Sequence, residues 1–169
     1  MASRPRVLWL IPILLAVHNA EEALLFPRYL PLVLARLPEG WRALAGAVTL
    51  GQVGTALALV TLIPLLLVIW ATRRPESSLP LWLLLLVQAT VLLNVLWHVS
   101  TAMVVFDGYA PGLMTAVLIN LPFSVYLLGR AARERWVSGG AMWALLPGAL
   151  LMHGPLLSGL LLLTERLDR

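Results

Sequence analysis

Three histidines and two adjacent glutamates stand inside segments that are otherwise apolar. His18, Glu21 and Glu22 occur in the stretch LLAVHNAEEALLF, and the other two histidines are His98 and His153. Because Glu21 and Glu22 follow His18 at i+3 and i+4, one face of a helix presents all three side chains. Ionisable residues within membrane helices usually face the interior of the bundle and pair with one another. The sequence therefore predicts a polar site in the interior of a bundle of membrane helices.

Other polar residues are spaced to join this site. Asn94 precedes His98 by four residues and shares its helix face. Gln52 and Asn120 fall at a similar predicted depth in two further apolar segments, and we expect them to support the site. Each histidine lies about 12–16 Å from the predicted outer end of its helix, so all three share one level.

Histidine and carboxylate ligands together suit zinc, iron or manganese. The leading hypothesis is therefore an intramembrane metal site, with His18, His98, His153 and one glutamate, Glu22 or Glu21, as ligands. The other glutamate would act as general base on a metal-bound water, which makes both glutamates candidate catalytic residues. Such a site fits a membrane metalloenzyme, a hydrolase or an oxidoreductase, that acts on a lipidic substrate.

Three alternatives remain open from the sequence. A glutamate–histidine pair can shuttle a proton to and from an apolar substrate without metal, as an isomerase does; five-helix sterol isomerases are an analogy for this chemistry. A proton or metal-ion transporter or sensor is the second alternative, although the nearly pure apolar inner half of each segment argues against a complete channel. Haem held by two histidines is the third.

The elements that must position these residues are transmembrane helices. Of the 169 residues, 60% are hydrophobic and only 12% are charged, which is far more apolar than a soluble domain. Apolar runs near twenty residues long can cross a bilayer as helices that satisfy their own backbone groups. We expect one all-α, polytopic membrane domain over residues 1–169, with an interfacial segment at 27–44. The five predicted helices span residues 7–26, 45–71, 79–106, 113–129 and 141–164.

Charge and cysteine content limit the kinds of partner and the cellular location that the sequence predicts. Cysteine is absent, which excludes disulfides and thiolate metal sites. The basic residues are all arginines in predicted connections and termini, a pattern that reports membrane topology and not nucleic-acid binding. Their distribution favours a cytoplasmic N-terminus and an external C-terminus in a bacterial inner membrane. The expected partners are the lipid bilayer and a lipidic substrate, and the sequence leaves the oligomeric state open.

The motifs HNAEE at 18–22 and NVLWH at 94–98 resemble those of the HXXEE-motif family of bacterial multipass membrane proteins. The similarity extends over nearly the whole chain, and His153 is similar to a late histidine of that family. The resemblance implies a shared polar site but no particular reaction. The signature that it implies consists of His18, Glu21, Glu22, Asn94, His98 and His153.

Overall fold

The computed structural model describes residues 4–36 and 49–156, and every regular element within these ranges is helical. The α-helices are α1 (Arg4–Leu8), α2 (Leu10–Arg36), α3 (Leu50–Arg73), α4 (Ser78–Val104), α5 (Leu113–Thr115), α6 (Leu121–Arg133), α7 (Gly139–Trp143) and α8 (Leu145–Leu151). Two π-helical turns, Ala116–Asn120 and Met152–Leu156, follow α5 and α8 respectively.

Four helical stretches are long and apolar enough to cross a membrane: Arg6–Leu32, Leu50–Arg73, Ser78–Val104 and Leu113–Arg133. The prediction of an all-α membrane bundle is therefore confirmed. The predicted fifth helix, 141–164, begins as α7, α8 and the second π turn, and its part beyond Leu156 lies outside the described residues.

The first span continues past the point where the sequence predicts its end. Helix α2 includes Pro27 and Pro31 in its interior and ends only at Arg36, so the predicted stop at Pro27 is wrong. Proline removes one helical hydrogen bond and crowds the preceding turn, yet membrane helices tolerate it where neighbouring groups compensate. Of the predicted interfacial segment, residues 37–44 lie outside the described residues.

Helix α4 is the centre of the bundle, because it packs against α3, α6 and α8. Its fully buried Leu84 and Leu85 join Ile11 of α2, Val68 of α3 and Leu127 of α6 in one apolar core. These residues belong to the half of the bundle near the start of α4. The polar residues of α4 lie instead near its C-terminal end.

The connection between α4 and α5, residues 105–112, folds back over this polar end. The Gly108 N–H donates to Ala102 O at 2.9 Å, which turns the chain back towards the end of α4. The Tyr29 ring of α2 meets the rings of Phe106 and Tyr109, with centroids 5.3 and 6.3 Å away. These contacts fix the connection across α2 and α4.

Candidate metal centre

Three of the predicted ligands converge between α2 and α4. His18, Glu22 and His98 each offer one ligand atom, and these atoms all lie within 4.8 Å of one another. Within this group, Glu22 Oε1 lies 3.2 Å from His98 Nε2. Both histidines are buried, and the Glu22 side chain is 23% exposed. The packing of α2 against α4 therefore gathers two imidazoles and a carboxylate that the sequence places on separate helices.

The hydrogen bonds of His18 determine which of its nitrogens can bind a metal. His18 Nδ1 lies 2.9 Å from Thr115 Oγ1, and that hydroxyl donates to the carbonyl oxygen of Gly112 at 3.3 Å. Because the hydroxyl proton is engaged by Gly112, Thr115 accepts from His18 Nδ1–H. The lone pair of His18 then resides on Nε2, the arrangement by which proteins orient a histidine ligand.

Asn94 joins the two histidines. Its Nδ2 lies 3.1 Å from His18 Nε2 and 3.0 Å from His98 Nε2. The two imidazole rings meet edge to face, with centroids 4.9 Å apart. Asn94 therefore directs an amide at the point where both Nε2 atoms meet, as its i−4 spacing from His98 predicts.

The backbone of Gly112 forms a close wall of the centre. A Cβ atom at this position would lie 2.8 Å from Glu22 Cγ, 2.8 Å from His98 Cε1 and 2.9 Å from His18 Cε1. Its φ of +81° also belongs to the left-handed region that glycine adopts without strain. Glycine is required here for both reasons.

Glu21 faces a different set of partners from Glu22. Its Oε2 accepts from the Thr115 N–H at 2.9 Å, and its Oε1 accepts from the Met114 N–H at 3.3 Å and from the Tyr109 hydroxyl. The two backbone donors belong to the first turn of the fourth span, where a carboxylate is favoured by the free N–H groups and the helix dipole. Glu21 thus caps that span, and its role as general base stays a prediction.

Residues 9–127 match the family described as "Protein of unknown function with HXXEE motif". The chain belongs to this family. A relative is "Uncharacterized protein YrkK" of Bacillus subtilis (strain 168), which is 26% identical over 108 residues, or 64% of this chain. The chain spans 63% of that relative's length. No solved structure matches the chain.

The third histidine of this HXXEE protein stands apart from the group. His153 is half-buried, and its ring meets the exposed Trp97 edge to face, with centroids 5.9 Å apart. It lies within electrostatic range of His98 and Glu22, but it is not a member of the converging set. The converging group forms a three-ligand set without His153, and a His153→Ala variant tests whether the predicted fourth ligand is needed.

The two supporting amides occupy different places in the bundle. Gln52 and Thr49 form a capping box at the start of α3. Gln52 Oε1 accepts from the Thr49 N–H at 2.7 Å, and the backbone N–H of Gln52 donates to Thr49 Oγ1 at 3.2 Å. Asn120 is buried, and its Nδ2 has no hydrogen-bond partner among the residues that the structure describes.

Three residues that line the site of this HXXEE protein could not be predicted from the sequence. Tyr109 and Gly112 reach the site because the connection folds over it, and the stretch DGYAPG predicts only a loop; Thr115 follows on α5. Asn19, inside the motif itself, donates to Thr61 Oγ1 at 2.7 Å and so ties α2 to α3. Nothing in the spacing of HxxEE distinguishes this residue from its neighbours.

Proposed function

We propose that this HXXEE protein is a membrane metalloprotein in which His18, Glu22 and His98 bind one divalent zinc, iron or manganese ion. The observation that carries the proposal is the convergence of their ligand atoms within 4.8 Å. The activity that follows is metal-dependent hydrolysis or oxidation–reduction of a lipidic substrate. Two histidines with one carboxylate occur both in zinc hydrolases and in non-haem iron oxygenases, so the metal decides between them.

The donor set fits such an ion. Ligand atoms about 2.1 Å from a tetrahedral metal lie about 3.4 Å from one another, so the group has to contract by about 1.4 Å at its widest. The Nδ1–H of His18 leaves the lone pair on Nε2, where a metal would replace the Asn94 amide that lies 3.1 Å away. Three protein ligands also leave one position of a tetrahedral site open, as catalytic zinc sites do.

The chain's own residues supply the surroundings that a reaction needs. When bound, the metal contributes Lewis-acid or redox chemistry. The Asn94 amide lies within 3.1 Å of both Nε2 atoms and would donate to an acceptor oxygen of a substrate or water held beside them. The Gly112 backbone packs closely against all three side chains, and Glu21 holds Thr115 in contact with His18.

A second candidate function is metal-free acid–base catalysis on an apolar substrate. It is favoured by the Glu22–His98 contact of 3.2 Å, a carboxylate–imidazole pair that can move a proton without a metal. Transport is less well supported. The buried Leu84, Leu85 and Leu127 lie between the centre and the start of α4, and side chains of this kind offer no polar route.

Elemental analysis of the purified full-length protein in mild detergent tests the metal proposal. We expect one transition-metal ion per chain in the wild type and less than a tenth of that in the double variant His18→Ala, His98→Ala, since one remaining carboxylate binds weakly. His153→Ala is the matched control, because it removes an imidazole that lies outside the group. We expect it to retain its metal.

The outcomes separate the candidate functions. Stoichiometric metal in the double variant rejects this centre. Loss of metal in His153→Ala as well would add a fourth ligand to the set. A wild type free of metal, with activity that chelators leave unchanged, would favour the acid–base function.

A further inference from the structure

The C-terminus of α6 carries an arginine where helices usually place glycine. The Trp136 N–H donates to Ala131 O at 2.9 Å and the Arg135 N–H donates to Ala132 O at 3.3 Å, which is the hydrogen-bond pattern of a Schellman motif. Arg135 occupies the left-handed position of this motif, with φ of +52°. Glycine adopts this conformation without strain, whereas a side chain with a Cβ does not. A strained residue of this kind is a reason to look for a function of its side chain.

The Arg135 side chain is exposed and lines an open groove with a volume of about 840 Å³. The groove lies where α6 leads into α7, beside the start of α4. Trp143 is 81% exposed there, although a large aromatic ring is costly to leave in water. Other residues that line the groove are Ser78, Ser138, Gly139 and Met142.

Arg135 has no ion pair or hydrogen bond from its side chain to any residue in the described ranges. The neighbouring Glu134 is held elsewhere, because it accepts from Arg130 Nε at 2.8 Å and from Trp136 Nε1 at 2.8 Å. The Arg130 guanidinium also lies over the Trp136 ring, 5.4 Å from its centroid. These contacts hold the Glu134 carboxylate away from Arg135, whose positive charge is then available to a ligand within the part of the chain that the structure describes.

We infer that this groove binds the phosphate of an anionic phospholipid. Arginine presents a planar fork of donors that matches a phosphate, and exposed tryptophan is typical of the headgroup level of a membrane. Basic sites beside membrane helices recognise anionic headgroups in this way. The apolar surfaces of Met142 and Trp143 fit the start of the acyl chains, which favours a lipid over free phosphate as the occupant.

This site is separate from the candidate metal centre. Ser78 and His98 are both on α4, and twenty residues of helix place them about 30 Å apart. Loss of metal binding would therefore leave the lipid inference unaffected, and failure of the lipid inference would leave the metal proposal unaffected.

Thermal unfolding of the full chain in detergent, with added lipid, tests the inference. Phosphatidylglycerol, an anionic lipid, is expected to raise the melting temperature more than phosphatidylcholine with the same acyl chains or inorganic phosphate. Arg135→Gly is expected to bind phosphatidylglycerol about fivefold more weakly, as the loss of one basic residue near a membrane surface implies. Without lipid, this variant is expected to be at least as stable as the wild type, since glycine suits the left-handed position.

Arg133→Gln is the matched control, because it removes a nearby exposed arginine that does not line the groove. It is expected to keep the phosphatidylglycerol response. An unchanged response in Arg135→Gly, or an equal response to phosphatidylcholine, overturns the inference. An equal response to inorganic phosphate would show an anion site and overturn the assignment to a lipid.

Discussion

At the scale of single residues, the adjacent glutamates of the HXXEE motif have different partners. Consecutive helical residues point about 100° apart, so Glu22 reaches His98 while Glu21 reaches the backbone of Met114 and Thr115. Carboxylates are costly inside a membrane unless they are paired. Here Glu21 accepts from three donors and Glu22 pairs with the His98 imidazole, so the two adjacent carboxylates do not compete for the same partners.

Replacing Gly112 by alanine tests the close wall of the centre. The added Cβ must displace His18, Glu22 or His98, and overpacking of this kind costs about 1–3 kcal/mol. Denaturant unfolding should show this loss, and metal content should fall with it. Gly108→Ala is the control, because Gly108 also has a positive φ but a Cβ there would meet nothing within 4 Å. Equal effects of the two substitutions would mean that backbone strain alone is responsible.

At the scale of elements, the π turn Ala116–Asn120 sets the register of the fourth span. The Leu121 N–H donates to Ala116 O, a bond that spans five residues instead of four. Thr115 and Ser124 are nine residues apart and would face opposite sides of a regular α-helix. The additional residue turns Ser124 back to within about 80° of Thr115. Thr115 can then contact His18 while Ser124 accepts from Gln88 Nε2 at 2.6 Å.

The connection at residues 105–112 should respond to alkaline pH through Tyr109. Burial, together with the hydrogen bond to Glu21 and its charge, raises the pKa of Tyr109 from 10.0 to about 12. A raised pKa means that the neutral phenol stabilises the folded state fully below pH 10 and that this stabilisation is lost between pH 10 and about 12. Absorbance titration of tyrosinate should therefore show one late tyrosine in the wild type.

That late transition should be absent from Tyr109→Phe and shifted to lower pH in Glu21→Gln, which removes the negative charge. Tyr126→Phe is the control, because Tyr126 contacts Arg130 on a different part of the fold. A late transition that survives in Tyr109→Phe would contradict the assignment.

At the scale of the whole molecule, the two ends of the bundle have different chemistry. The end of α4 carries the polar centre and the connection that covers it. The opposite end, at the start of α4, carries Arg135 in the groove that Ser78 also lines. A leucine-rich core separates the two ends. The orientation of the protein in a bacterial inner membrane stays a prediction.

A metal bound by His18, Glu22 and His98 would join the first and third spans, so it should stabilise the bundle as a whole. Free metal at about one hundred times its dissociation constant adds about 2.7 kcal/mol to the free energy of unfolding, if it binds only the folded state. The measurement is the melting temperature of metal-stripped protein before and after zinc, iron(II) or manganese is added. An identical increase in the double variant His18→Ala, His98→Ala would assign the effect to other groups.

The sequence by itself determined the helical membrane fold and most of the converging residues. Long apolar runs can satisfy their backbone in a bilayer only as helices here, and i,i+4 spacing places His18 with Glu22 and Asn94 with His98 on shared faces. Local spacing contains no information about which faces meet, however. Only the tertiary structure decided that Glu21 caps the fourth span, that His153 lies beside Trp97 and that Gly112 closes the centre. Those contacts depend on how one connection folds and on where a π turn adds a residue, and neither is a property of any single helix.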